Sequence, residues 1–211
     1  MTKAKFAVGV AACVALTAAV TGCNNSSETA APSASPPSAT SAAGSATPAR
    51  PTLTAAELQP PTQDESTAQS SGRPKVVFDP CTWVPDDVID KAGFSAASRK
   101  RGQDQVAEQS FLTCDFKSTQ RRLQIDSGNV TWDEDLQKYT QATQFTINGR
   151  QALWTNDQTF RNQCEIHLRT RVGFVRVAAI LTDAVSVNDT SPCDGLQNTA
   201  TLIEPTIGPD A

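Results

Sequence analysis

Four cysteines, Cys81, Cys114, Cys164 and Cys193, and the single histidine, His167, are the side chains here best suited to chemistry. Thiols serve as nucleophiles, metal ligands or halves of disulfides, and each role leaves its own spacing. Zinc sites gather Cys and His in short steps, and redox sites use Cys-x-x-Cys. Neither pattern occurs, and His167 has no partner at metal-ligand spacing. No metal site, no cofactor and no catalytic residue is therefore assigned. The acidic run Asp133 to Asp135 lacks the Asp-x-Asp-x-Asp-Gly order of an EF-hand and reads as first-turn acids complementing a helix dipole. The clusters Arg99-Lys100-Arg101 and Arg121-Arg122 read as solvated charge beside loops, with an anion site as the alternative. Gly-x-Ser-x-Gly, Ser-x-x-Lys, His-Glu-x-x-His and phosphate-loop motifs are all missing. Carboxylate pairs have no local signature, so a hydrolase stays open while binding is favoured over catalysis.

The remaining cysteines, Cys13 and Cys23, belong to the first stretch of the chain. Lys3 and Lys5 precede an uncharged run from Phe6 to Val20, the order of an export signal. At about fifteen residues that run is short for a hydrocarbon core of roughly 30 Å. Val20-Thr21-Gly22-Cys23 resembles a lipobox, which implies a signal peptide over residues 1–22 and acyl chains, palmitate among them, on Cys23. Such an anchor places the protein on the extracytoplasmic face of the cell membrane. Cys13 leaves with the signal and Cys23 becomes a thioether, so four thiols remain in an oxidising compartment. An even set reads as two disulfides with three possible pairings. The net charge of −4 becomes −6 without the two leader lysines. That sign argues against nucleic acid as a partner.

Positioning these cysteines falls to the domain that follows. Residues 23–75 are rich in Ala, Ser, Thr and Pro, with only Leu53 and Leu58 as large apolar side chains, and read as a disordered tether. Secondary-structure periods begin at Val76 and run to Ile207. Asp79-Pro80-Cys81 supplies a cap and a first-turn proline, and Val84, Val88, Ile89 and Ala92 share one helical face, with Pro85 restarting the helix and Gly93 ending it. Residues 110–117 and 122–127 alternate as strands, with Cys114 on the core side beside Leu112 and Phe116. Thr131 and Glu134 form a capping box ahead of the stripe Trp132, Leu136, Tyr139. Asn148-Gly149 marks a type I′ hairpin. Residues 163–169 and 174–181 are further strands, with His167 on the polar face of the first. Ser191-Pro192-Cys193 opens a last helix, which Pro205 is expected to end.

Elements adjacent in sequence usually pack together, which favours Cys81 with Cys114 and Cys164 with Cys193. Each bond would close a loop of about thirty residues, for about 3 to 4 kcal/mol in the chain-entropy account. The lipobox, the tether, the Asp-Pro-Cys helix start, Cys114-Asp115-Phe116, the Asn148-Gly149-Arg150 turn and the final Pro-Cys helix together resemble the DUF3558 family of actinobacterial lipoproteins. The resemblance spans the mature chain and implies location and fold class. It carries no catalytic residue.

The expected fold is α+β over residues 76–207: a mostly antiparallel sheet of five or six strands, about three helices (80–92, 132–142, 192–204) and two disulfides. The expected function is a membrane-anchored binding or sensing module for a small molecule, an envelope lipid or a protein partner. The alternatives are a structural surface lipoprotein without a ligand pocket and an envelope hydrolase.

Overall fold

The computed structural model describes residues 53–155, 161–185, 187, 190–209 and 211. These fall in one compact unit, Ala46–Ala211. Cys23, the leader and residues 23–52 of the tether lie outside the described residues.

Seven strands form one antiparallel sheet: β1 (Ser95–Arg101), β2 (Phe111–Lys117), β3 (Arg121–Gly128), β4 (Thr143–Ile147), β5 (Arg150–Trp154), β6 (Gln163–Arg169) and β7 (Phe174–Leu181). Their order across the sheet is β1-β2-β3-β7-β6-β5-β4. The expected strand count was short because β1, Ser-Ala-Ala-Ser-Arg-Lys-Arg, has no apolar alternation. It is an edge strand held by pairing with β2 and by its side chains. Arg99 donates to the Cys81 and Val84 carbonyls (3.1 and 2.9 Å) and to Asp86, and stacks over Phe116. Arg101 pairs with Asp79 and Asp104. These guanidiniums are taken up by structure, not gathered into an anion site. Charge on an exposed edge also discourages a second sheet from adding there.

Among the described residues five helices accompany the sheet: α1 (Ser66–Ser70), α2 (Pro80–Trp83), α3 (Asp86–Lys91), α4 (Trp132–Lys138) and α5 (Leu196–Ile207), with a 3-10 turn at Ala56–Leu58. The excess over three has two causes. Pro85 splits the first helix into α2 and α3, and α1 lies in the stretch read as tether. The helix expected over 132–142 stops at Lys138, with the Thr131–Glu134 capping box formed.

The last helix starts later and ends later than expected. Gly195, at φ 72°, sits before its first turn, and Pro205 lies inside it. Proline has no N–H for the carbonyl four residues earlier. That carbonyl, on Thr201, instead accepts from Asn148 Nδ2 (3.1 Å). Asn148 occupies the hairpin turn between β4 and β5, with φ 50° at Asn148 and 88° at Gly149 as a type I′ turn requires. A side chain of the hairpin turn thus supplies the donor that Pro205 lacks.

Sheet alternation separates two faces. Cys114, Phe116, Leu123, Ile125, Ile166, Leu168, Val175 and Val177 pack with α2, α3 and α5 into the main core. Both disulfides, Cys81–Cys114 and Cys164–Cys193, tie this layer to the sheet in the expected pairing. On the opposite face, among the described residues, α4 packs through a smaller cluster of Trp132, Leu153 and Phe174 with Leu136 and Tyr139 against it.

Residues 53–75 differ from the sequence expectation. Leu53 N–H donates to the Thr82 carbonyl (2.8 Å), Leu58 packs on the core, and Gln63 exchanges two bonds with the Val76 backbone. Arg101 Nε donates to the Leu58 carbonyl (3.0 Å), and Arg73 forms a two-pronged pair with Glu134 (2.8 and 2.6 Å). The segment docks mainly through backbone and charged groups, a mode that hydrophobic patterning does not register.

Candidate functional site

Register places the polar side chains of the α4 face in lateral rows. One row runs Thr113, Asp126, Arg176, His167, Leu153 across β2, β3, β7, β6 and β5. Beside it runs Asp115, Gln124, Ala178, Glu165. On its other side Phe111, Gly128 and Phe174 lie opposite one another.

At the centre, Arg176 spreads three contacts: Nε donates to Asp126 Oδ2 (2.7 Å), Nη1 to Glu165 Oε2 (2.8 Å) and Nη2 to Gln124 Oε1 (2.6 Å). Asp126 also accepts from the Thr113 hydroxyl (2.7 Å). Glu165 accepts further from Gln163 Nε2 (3.0 Å) and from the Tyr139 and Thr155 hydroxyls (3.4 Å each). Buried charges need partners of this kind to offset their lost hydration.

His167 is 1% exposed and joins the sheet to α4. Its Nδ1 lies 2.7 Å from Asp135 Oδ2, and both side chains are buried. Its ring stacks on Phe174 (4.5 Å between centroids) and meets Tyr139 edge-on (5.3 Å). Nε2 stands 3.7 Å from Glu165 Oε1, an ion-pair distance too long for a hydrogen bond, so this buried atom has no hydrogen-bond partner among the described residues. Burial alone would lower the imidazole's proton affinity, but Asp135 and Glu165 outweigh it and raise its pKa above the ordinary value. For Glu165, burial pushes upward, while His167 and Arg176 more than reverse this and hold it at about 2. His167 is therefore held between carboxylates from α4 and β6, which favour its protonated form.

Above this layer opens a cleft of about 530 Å³. Lys138 and Tyr139 wall it from α4, Gln103 and Gln105 from the β1–β2 connection, and its floor includes Phe111, Asp115, Gln124, His167 and Arg176. Burial pushes the Asp115 carboxyl above its usual range, against the opposing pull of Arg122. Asp115 accepts from Gln124 Nε2 (3.2 Å) and stands 3.9 Å from Arg122 Nε. Among the described residues no group of three or more His, Cys, Asp or Glu is placed to hold a metal ion. No helix among them is long and apolar enough to cross a membrane.

Sequence reasoning set His167 on the polar face but gave it no partner. The missing partner, Asp135, was read as a first-turn acid. One signal was present: Asp135 lies three residues after Trp132 and four before Tyr139, within the apolar stripe of α4. An acid inside such a stripe is either an error of register or a group with a buried partner. Glu165 and Arg176 had no comparable signal, because each alternates as an ordinary polar strand residue and Asp126 reaches Arg176 only through β3 and β7, strands distant in sequence.

The class so defined is a two-disulfide α+β domain whose single antiparallel sheet holds a buried ion network beneath a polar cleft. The chain belongs to the DUF3558 family, proteins of unknown function, which matches residues 18–206. No curated protein and no solved structure matches it.

Proposed function

We propose that this protein is a lipid-anchored, extracytoplasmic binding module that takes a small polar ligand in the cleft between α4 and the β1–β2 connection. The observation that supports it is the placement of the ion network. Arg176, Asp126 and His167 line the cleft and are paired with one another or with Glu165 and Asp135 beneath, so the cleft keeps its shape and needs little reorganisation to receive a ligand.

The same pairing argues against hydrolysis. A raised Asp115 and a lowered Glu165 resemble the split of an acid and base pair. Yet Glu165 is occupied by Arg176, Gln163 and two hydroxyls, and does not line the cleft. His167 lines the cleft, but its Nε2 is buried and its Nδ1 is taken by Asp135.

The anchor follows from Cys23 and the lipobox order before it. Purification of the full-length chain from membranes in mild detergent, followed by native mass spectrometry, tests both halves of the proposal. The expected result is an acylated protein retaining a small molecule, with acylation lost in Cys23→Ala. An unacylated wild-type chain refutes the anchor, and an empty cleft that binds nothing across a metabolite extract refutes the binding role.

A further inference from the structure

We infer that the ligand is a neutral saccharide of at least two units, one stacked on Phe111 and the next gripped by Asp115, Gln124 and Arg122, since Phe111 and Asp115 stand about 13 Å apart along β2; this rests on the reading of the cleft as a binding site. Three observations lead there.

The first is an aromatic platform. Phe111 lies opposite Gly128, and a Cβ at Gly128 would stand 2.4 and 2.6 Å from two atoms of the Phe111 ring. The ring therefore rests directly on the strand backbone, in space that only glycine leaves free. Phe111 is half-buried, packs beside Phe174 and lines the cleft. A flat apolar ring face beside polar groups suits the C–H face of a sugar ring.

The second is an open pair of hydrogen-bonding groups. Asp115 on β2 and Arg122 on β3 are 3.9 Å apart, too far to satisfy each other by a hydrogen bond. A hydroxyl placed between them gives its proton to Asp115 and accepts from Arg122. Gln124, which already donates to Asp115, sits next to this position. Hydroxyl groups donate and accept at once, so they complete such a pair where an ammonium or a carboxylate matches only half of it.

The third is charge balance. Asp115 and Arg122 face each other, and Arg176 and His167 are neutralised by Asp126, Glu165 and Asp135. The floor has little net charge to attract an ion, which favours a neutral, polyhydroxylated ligand over an anion.

Full-length protein in detergent is titrated calorimetrically with glucose, galactose, mannose, maltose, cellobiose and lactose. Glycine, arginine, citrate and adenosine serve as contrasting probes. At least one neutral disaccharide is expected to bind, Arg122→Gln to weaken it about tenfold, and Phe111→Leu to weaken it further. Arg122 is exposed, so that variant tests the site without disturbing the core. Its melting temperature, unchanged, verifies the fold. Saccharide affinity unaltered by Arg122→Gln overturns the inference. Binding of adenosine or a charged probe alone, sensitive to Arg122→Gln, overturns the saccharide class while upholding the cleft as a binding site. Failure of every probe overturns the saccharide class, and a cleft equally empty in the metabolite test refutes the binding role as well.

Discussion

Replacing Asp135 by alanine is the sharpest test of the charge network, because it removes one partner of a fully buried pair and leaves the other in place. His167 Nδ1 then has no acceptor, and its cation keeps only Glu165 at 3.7 Å. Breaking a buried pair in this way costs about 3 to 5 kcal/mol. For a domain of this size each kcal/mol moves the melting temperature by about 2 to 4 °C, so a fall of about 10 °C is expected. The pH dependence sharpens the test. The fold raises the pKa of His167, so its stabilising contribution is full below the ordinary imidazole value of about 6.5 and is lost as pH rises through the folded value. Glu165 has the opposite sign. Held at about 2, it contributes fully above the ordinary carboxylate range and loses that contribution as pH falls toward 2. Wild-type stability should therefore peak between about pH 4.3 and 6.5. Asp135→Asn keeps the shape and an acceptor but not the charge, and is expected to flatten the decline above pH 6.5. Thermal unfolding followed by circular dichroism from pH 3 to 9, with disulfides intact, measures all of this. A melting temperature for Asp135→Ala within about 3 °C of wild type, or a wild-type profile flat above pH 6, refutes the clamp.

Gly149→Val should destabilise the domain by about 1 to 2 kcal/mol in urea titration, since φ is 88° there and the loss is one of backbone conformation, with no atom near the added side chain. Removing residues 53–74 should lower stability by roughly 2 to 4 kcal/mol, because it uncovers part of the core at Leu58 and frees the partners of Arg101, Val76 and Glu134. A melting temperature unchanged by that truncation would mean that the segment only rests on the surface. Peptide mapping of the unreduced protein should recover Cys81 linked to Cys114 and Cys164 linked to Cys193, with no crossed pair.

Six strands, the capping box, the hairpin turn and the disulfide pairing were legible because each rests on interactions close in sequence. Alternation in Gln163–Arg169 and the Asn148-Gly149 pair need no knowledge of the rest of the molecule. β1 was not legible, since an edge strand of Ser, Arg and Lys is made by its neighbour and by Asp79, Asp86 and Asp104. The docking of residues 53–75 was hidden for a related reason, its contacts being carbonyls and guanidiniums. The site was half visible. Periodicity put His167, Glu165 and Arg169 on one face of β6, but Arg176 and Asp126 reach His167's row only through the pairing of β7 with both β3 and β6. Pro205 shows the same limit, because its place inside α5 depends on a side chain from a distant turn.

That pairing of β3 with β7 has a kinetic consequence. Every other ladder of the sheet joins strands that follow one another in sequence, whereas β3 and β7 meet from Arg121 opposite Leu181 to Gly128 opposite Phe174. Hairpins of sequence neighbours close quickly, and ladders between distant segments close slowly. Neither disulfide shortens the wait: one ring spans Cys81 to Cys114, the other Cys164 to Cys193, and no ring contains both β3 and β7. The chain should thus assemble as two oxidised meanders, β1–β3 and β4–β7, whose joining is the rate-limiting step. Arg176 on β7 bonds Asp126 on β3 and Glu165 on β6, so its ion network is completed only at that moment. The face that carries the cleft would be the last part of the molecule to mature, and a chain halted before the seam closes would carry both disulfides and no cleft.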